Sequence, residues 1–196
     1  MNRIASTERK TNETDIQISL DIDGKGKREI DIPNGFLTHM LDLFSKHGLF
    51  DLTINARGDT WIDEHHTVED IGIVLGETFA KALGDKKGIK RYGFFILPMD
   101  ETVTTVAIDF AGRYSFCLQC PFAREKVGDL STELIYDFWD AFAQNARVNL
   151  FIKVENGRND HHKIEGIFKA TARAIRMACE IDSRMKGQIP STKGKL

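Results

Sequence analysis

Four of the six histidines in this 196-residue chain stand as two adjacent pairs, each followed by a glutamate. They are His65, His66 and Glu69 in DEHHTVED, and His161, His162 and Glu165 in NDHHKIEG. Imidazole with carboxylate and without cysteine favours a borderline or hard divalent ion such as manganese, iron or zinc, and six or more donors suggest two ions. Composition alone would produce HHxxE about a hundredth of a time in such a chain. Two copies point to a site rather than to lone surface or core histidines.

Each motif opens a run with helical spacing: Val68, Ile71, Leu75, Phe79 and Leu83 after the first, IFKATARAIRMACEI after the second. On such a helix His65 and Glu69 are four residues apart and His66 and Glu69 three, so Glu69 can join either histidine on one face. Adjacent histidines point about 100° apart. Each pair is therefore expected to serve two different metals or to reach across a subunit boundary. Asp63, Glu64 and Asp160, just upstream, read first as helix caps and second as ligands.

The elements that must position these residues repeat. Strands are expected at DIQISLDID (15–23), REIDI and DLTINARGD, with helices at 36–48 and from His65 to Gly84. The second series has strands at YGFFILP, TVTTVAIDF, GRYSFCLQC and VNLFIKV, and helices at 132–146 and from His161 to about Ile181. HMLDLFSKHGLFDLTINARGDTWIDEHHTVED superposes on DFWDAFAQNARVNLFIKVENGRNDHHKIEG with two residues of slack, both reading helix, strand, polar loop, HHxxE, helix. A duplicated unit of this kind packs about a pseudo-twofold axis. The fold class is α+β: two pseudo-symmetric halves, 1–88 and 89–196, each a small mixed β-sheet with helices on one face, forming one functional domain.

Composition narrows the partners. The chain is 41% hydrophobic and 29% charged, with 27 basic against 29 acidic residues and a formal charge of -2. No global field draws it to nucleic acid or to a membrane, so a small-molecule partner is expected. The N-terminus lacks the apolar region of a signal peptide and no run reaches membrane-spanning length, which implies a cytoplasmic protein. Cys117, Cys120 and Cys179 are too few for a disulfide framework, and the CxxC in YSFCLQCPF reads as strand cysteines rather than as a zinc or redox motif.

With these residues in view, the chain resembles the imidazoleglycerol-phosphate dehydratase family from about Arg9 to the C-terminus. The resemblance is carried by RKTNETDI, GFLTHMLDLFSKHGLFDL, DEHHTVEDIGIVLG, RYG, PMDET, GRY, TELIYDFW, GRNDHHKIEGIFKATARA and IPSTKG. It implies dehydration of imidazole glycerol phosphate to imidazole acetol phosphate in histidine biosynthesis. It further implies two manganese ions per active site, held by His39, His65, His66, Glu69, His161, His162 and Glu165. The eighth position falls on Asp137, where many members have histidine; the internal repeat also sets Asp137 opposite His39. Phe151 is a second departure, at a position that usually holds histidine and is not among the expected ligands.

The same resemblance implies that Arg91, Arg113, Lys169, Ser191, Thr192 and Lys193 hold the substrate phosphate, a role that suits guanidinium forks and small hydroxyls. His39 and His47 are implied at the substrate, although His47 reads equally as an ordinary surface or core histidine. Glu13, in TNET, is implied at the substrate as acid or base, with Glu69 and Glu165 beside it in catalysis. The expected chemistry binds the imidazole ring as an imidazolate between two Lewis-acid metals and expels hydroxide through the ring. The family also implies a 24-subunit particle with shared active sites. Two rival readings are a metal-dependent hydrolase, separated by testing phosphate ester cleavage, and a metal-storage protein, which would bind metal without turnover.

Overall fold

The computed structural model describes residues 3–196, so Met1 and Asn2 of the first half lie outside the described residues. The chain runs β1 (Ile4–Lys10), β2 (Thr14–Asp21), β3 (Arg28–Asp31), α1 (Gly35–Gly48), β4 (Asp51–Gly58) and α2 (His65–Leu83). It continues through β5 (Tyr92–Met99), β6 (Thr102–Asp109), β7 (Ser115–Gln119), a short hairpin of β8 (Lys126–Val127) and β9 (Leu130–Ser131), α3 (Leu134–Ala146), β10 (Asn149–Asn156) and α4 (Asp160–Cys179).

The strands form two four-stranded sheets with one topology. The orders are β1-β2-β4-β3 and β5-β6-β10-β7. In the first sheet β2 pairs antiparallel with β1 and β4, while β3 runs parallel to β4. In the second, β6 pairs antiparallel with β5 and β10, while β7 runs parallel to β10. The α+β architecture of two similar halves is therefore present down to strand direction.

The helices join the halves. α2 packs along α3 and α1 along α4, while α2 covers β1 and β2 and α4 covers β5 and β6. One fully buried aromatic cluster draws on all four helices: Phe44 meets Phe79 and Trp139 at ring-centroid distances of 6.1 and 6.0 Å, Phe79 meets Phe142 at 5.6 Å, and Trp139 meets Phe168 at 4.9 Å. Aromatic burial with edge-on contacts makes this a rigid hub. α2 approaches α3 closely because Gly72 and Gly76 carry no side chain; a Cβ on Gly72 would sit 2.5 Å from the Phe138 carbonyl oxygen.

The structure adds three strands that the sequence reading lacked, β1 and the two of the short β8–β9 hairpin. In β1 only Thr7 is buried, because this edge strand leans on the sheet without an apolar face of its own. The expected strand ends shift by a few residues: β2 stops at Asp21 and α4 at Cys179, two residues before Ile181. α3 begins at Leu134 rather than at residue 132.

The segment 121–131 clasps the starts of three helices. Asp129 accepts from the Gly35 and Phe36 amides at 2.6 and 2.8 Å at the head of α1. Glu64, just before α2, accepts from the Ser131 amide and hydroxyl at 2.9 and 2.6 Å and pairs with Lys126 at 3.0 Å. Asp160, at the head of α4, accepts from the Ala123 and Arg124 amides at 2.8 Å each and pairs with Lys163 at 2.8 Å, both side chains being buried. Capping itself is done elsewhere: Asp63 accepts from the His65 amide and Asn159 from the His161 amide. Of the three carboxylates expected to cap, only Asp63 does so, because Glu64 and Asp160 are drawn to the clasp.

Two consequences are measurable. Asp160→Ala strands the Lys163 ammonium in the interior, which should cost about 3–5 kcal/mol in chemical denaturation, and Asp160→Ala with Lys163→Met should recover part of that loss. Equal destabilisation of the single and double variants would contradict the pairing. Burial pushes the Glu64 carboxyl up, but Ser131 and Lys126 outweigh it and hold the group down at about 2, below the ordinary 4.5. A depressed folded-state value gives stability that is full above the ordinary range and lost as pH falls toward 2. The melting-temperature gap between wild type and Glu64→Gln should accordingly be widest near neutral pH and close on acidification below 4.5.

Candidate metal centre and phosphate seat

The adjacent histidines diverge as the helical geometry requires. In both pairs the ring centroids lie 6.1 Å apart, with planes at 82° for His65 and His66 and 83° for His161 and His162. The first histidine of each pair keeps to the face of its glutamate. His161 Nε2 is 3.1 Å from Glu165 Oε2, and His65 Nε2 is 3.6 Å from Glu69 Oε2.

His39, about one turn into α1 and exposed, completes a cluster with the second pair. Its Nε2 is 3.7 Å from the same Glu165 oxygen, and the donor atoms of His39, His161 and Glu165 all lie within 4.8 Å of one another. An octahedral ion holding donors at about 2.1 Å sets neighbouring donors about 3 Å apart, so small adjustments close this triad on one ion. Two imidazoles and a carboxylate also suit manganese chemically. Glu165 is held below its ordinary range: burial opposes this, but Lys169 at 2.5 Å and His161 outweigh it.

The equivalent triad in the first half is more open. His65 and Glu69 face each other, while Asp137, half-buried on the first turn of α3, has no hydrogen bond or ion pair to either among the described residues. The closer approach of α3 to α2 across Gly72 and Gly76 gives the two helix pairs different geometries. His66 and His162 turn instead to other carboxylates. His66 Nδ1 lies 3.1 Å from both oxygens of Asp59 and 3.9 Å from Glu13; His162 Nδ1 lies 2.8 Å from Glu101, and its Nε2 is 3.7 Å from Asp100. The bond to His162 and the Asn159 and Arg158 amides hold Glu101 down at about 2.

Asp59, Asp100 and Glu101 had not been singled out in the sequence. Glu101 left one signal: like Glu13 it directly precedes the threonine that opens the second strand of its hairpin, Thr102 against Thr14. Asp59 left none, since the matching position past β10 is Gly157.

α4 extends the site away from the triad. Glu165, Lys169 and Arg173 recur every fourth residue, and the Lys169 and Arg173 charges act on His47. Burial first, and then these two cations, lower the His47 pKa and keep the ring neutral. Arg173 sits over the Phe95 ring at 5.0 Å.

The other expected phosphate residues gather at the far end of α4. The Arg91 amide donates to the Ala178 carbonyl, about 25 Å along the helix from His161. The Arg91 fork is closed on Asp109 at 2.7 and 3.0 Å and also donates to the Pro190 carbonyl at 2.9 Å. It thereby seats the tail in which Ser191, Thr192 and Lys193 lie. The Lys193 amide donates to Ser191 Oγ at 3.2 Å, and the chain end passes Gly112 beside the exposed Arg113. The structure thus brings Arg91, Arg113 and the tail together, and separately joins Lys169 and His47 to the triad.

Comparison with known proteins gives the family. A sequence model described as "Imidazoleglycerol-phosphate dehydratase" matches residues 31–175. A relative of that name from Bacillus pumilus (strain SAFR-032) is 56% identical over 194 residues, covering 99% of this chain and 100% of the relative. Another from Rhodopirellula baltica is 53% identical over 195 residues, covering 100% of this chain and 96% of the relative. Among solved structures, imidazoleglycerol-phosphate dehydratase from Staphylococcus aureus superposes with a TM-score of 0.83 at 39% identity, covering 91% of this chain and 99% of that one. The enzyme from Pyrococcus furiosus, in complex with (S)-C348, gives 0.84 at 31% identity, covering 97% and 100%. The chain belongs to the imidazoleglycerol-phosphate dehydratase family, hydro-lyases of histidine biosynthesis.

Proposed function

We propose that this chain dehydrates imidazole glycerol phosphate to imidazole acetol phosphate in the cytoplasm, at a site that takes two manganese ions and binds the substrate ring as imidazolate. The observation that carries the manganese reading is the convergence of His39, His161 and Glu165, repeated in part by His65 and Glu69. Manganese bound there supplies Lewis acidity that favours the ring in its anionic form. His66, His162 and Asp137 are the remaining candidate ligands.

The chain's own groups do the rest. Glu13 projects from the turn before β2 with a carboxylate that accepts no hydrogen bond among the described residues. It is the group free to take or return the carbon-bound proton, or the proton for the leaving hydroxyl. Lys169, paired with Glu165, would meet the phosphate end of a substrate whose ring lies at the triad. The tail, Arg91 and Arg113 offer further donors to a phosphate dianion.

Within one chain these last residues stand about 25 Å from the triad along α4, too far for a substrate of one ring, three carbons and a phosphate. The proposal therefore includes active sites shared between copies in a 24-subunit particle, each uniting one chain's triad with another's tail. An apolar surface supports self-association. Phe94 and Ile96 on β5 are each 62% exposed, and Phe94 shares a cross-strand row with Ala107 and Phe151. The corresponding face of the first sheet carries Ser6, Glu8, Gln17, Ser19, Thr53 and Asn55. A patch of that kind on one sheet alone is characteristic of an interface.

Three measurements test this function. Metal-stripped enzyme should be inactive toward imidazole glycerol phosphate and recover with manganese; full activity without metal would refute the scheme. Glu13→Gln should lower kcat by about 100-fold or more, as loss of a general acid or base does, and wild-type turnover would remove Glu13 from the chemistry. Arg91→Ala and His161→Ala should each be inactive, yet co-expressed mixed particles should regain turnover. Mixed particles as inactive as their parents would contradict shared sites.

A further inference from the structure

The second histidine of each motif turns its Nδ1 away from the motif's own glutamate. His66 meets Asp59, whose carboxylate is 4% exposed, through two distances of 3.1 Å. His162 meets Glu101 at 2.8 Å. An imidazole that donates Nδ1–H to a carboxylate is fixed in tautomer and ring plane, and it presents the Nε2 lone pair outward. Nε2 of His66 makes no hydrogen bond among the described residues, and Nε2 of His162 stands 3.7 Å from Asp100, beyond hydrogen-bond distance.

The two carboxylates come from positions that the internal repeat does not set opposite one another. Asp59 follows β4, where the second half has Gly157 after β10. A side chain at Gly157 is obstructed: its φ is +150°, and a Cβ would stand 2.5 Å from Thr102 Oγ1. The second half cannot take its carboxylate from this loop and draws it from the β5–β6 turn as Glu101. Both Glu101 oxygens are in use, Oε2 on His162 and Oε1 on the Asn159 and Arg158 amides at 2.9 and 3.2 Å. Its repeat counterpart, Glu13, stands 3.9 Å from His66 because Asp59 already fills that role, and its side chain is 57% exposed against 31% for Glu101.

We propose that Asp59 and Glu101 are positioning residues that orient His66 and His162 with Nε2 as the ligating nitrogen, and that this substitution of roles frees Glu13 for the substrate. Of two duplicated glutamates, one holds a ligand and the other is released for chemistry. The inference rests on the manganese reading above and adds to it the division of labour between the halves.

The test is manganese affinity of the full-length wild-type chain and its variants, by competition with a chelator, together with the visible spectrum of the cobalt-loaded protein. Glu101→Gln and Asp59→Asn should each weaken manganese binding about 10-fold or more and alter the cobalt spectrum while leaving helical circular dichroism unchanged. Glu101→Asp should restore part of the affinity, and Glu13→Gln should bind metal as wild type does. Wild-type affinity and spectrum in Glu101→Gln, or a loss in Glu13→Gln as large as in Glu101→Gln, overturns this inference alone. A wild-type chain that binds no manganese overturns the manganese reading together with it.

Discussion

The buried Asp160–Lys163 pair and the segment it grips hold the heads of the three helices that carry all six histidines. Asp160 receives two amides of the segment 121–131, Glu64 receives a third, and Asp129 in that segment returns two bonds to the head of α1. The helices so fixed carry His39, His65, His66, His161 and His162 within their first turns or just beyond. Metal ligands attached to loose helix ends would have to be ordered at the moment of binding. Here charge-assisted bonds to backbone amides order the candidate histidines in advance, with the aromatic hub behind the helices as the rigid support.

Duplication supplied the scaffold, and divergence supplied the function. Strand order and direction are identical in the two halves. Their equivalent side chains are not: Glu165 has Lys169 one turn on, where the first half has Ile73 after Glu69; His39 corresponds to Asp137; and Asp59 corresponds to Gly157. The first half therefore gathers a more acidic set around its motif, and the second half pairs its glutamate with a cation. A pseudo-symmetric scaffold with unlike electrostatics on its two sides suits a substrate whose two ends, ring and phosphate, differ in kind.

Wherever a periodic pattern recorded a packing requirement, the sequence was legible. α1, α2 and α4 were readable because Met40, Phe44, Ile71, Phe79, Ile164 and Phe168 must face one core, and the HHxxE pairs were readable because chance does not duplicate them. β1 was hidden since its inward positions, Ala5, Thr7 and Arg9, give no apolar alternation even though their burial alternates. The clasp was hidden as well, because Asp129 and Asp160 act across long separations on backbone amides, which no residue pattern records. Asp59 was hidden for a different reason: it meets the His66 side chain only seven residues on, through an irregular loop after β4 that carries no periodic pattern. Arg91 shows another limit: its residue type suits a phosphate, but nothing in the sequence tells that its fork also binds Asp109 and the Pro190 carbonyl and so seats the tail.

The position of bound metal is the deciding quantity. Crystals grown with manganese and measured at its absorption edge should show one anomalous peak within ligand distance of His39, His161 and Glu165, and a second beside His65 and Glu69. Peaks absent from both positions, or manganese bound solely at unrelated surface carboxylates, would contradict it.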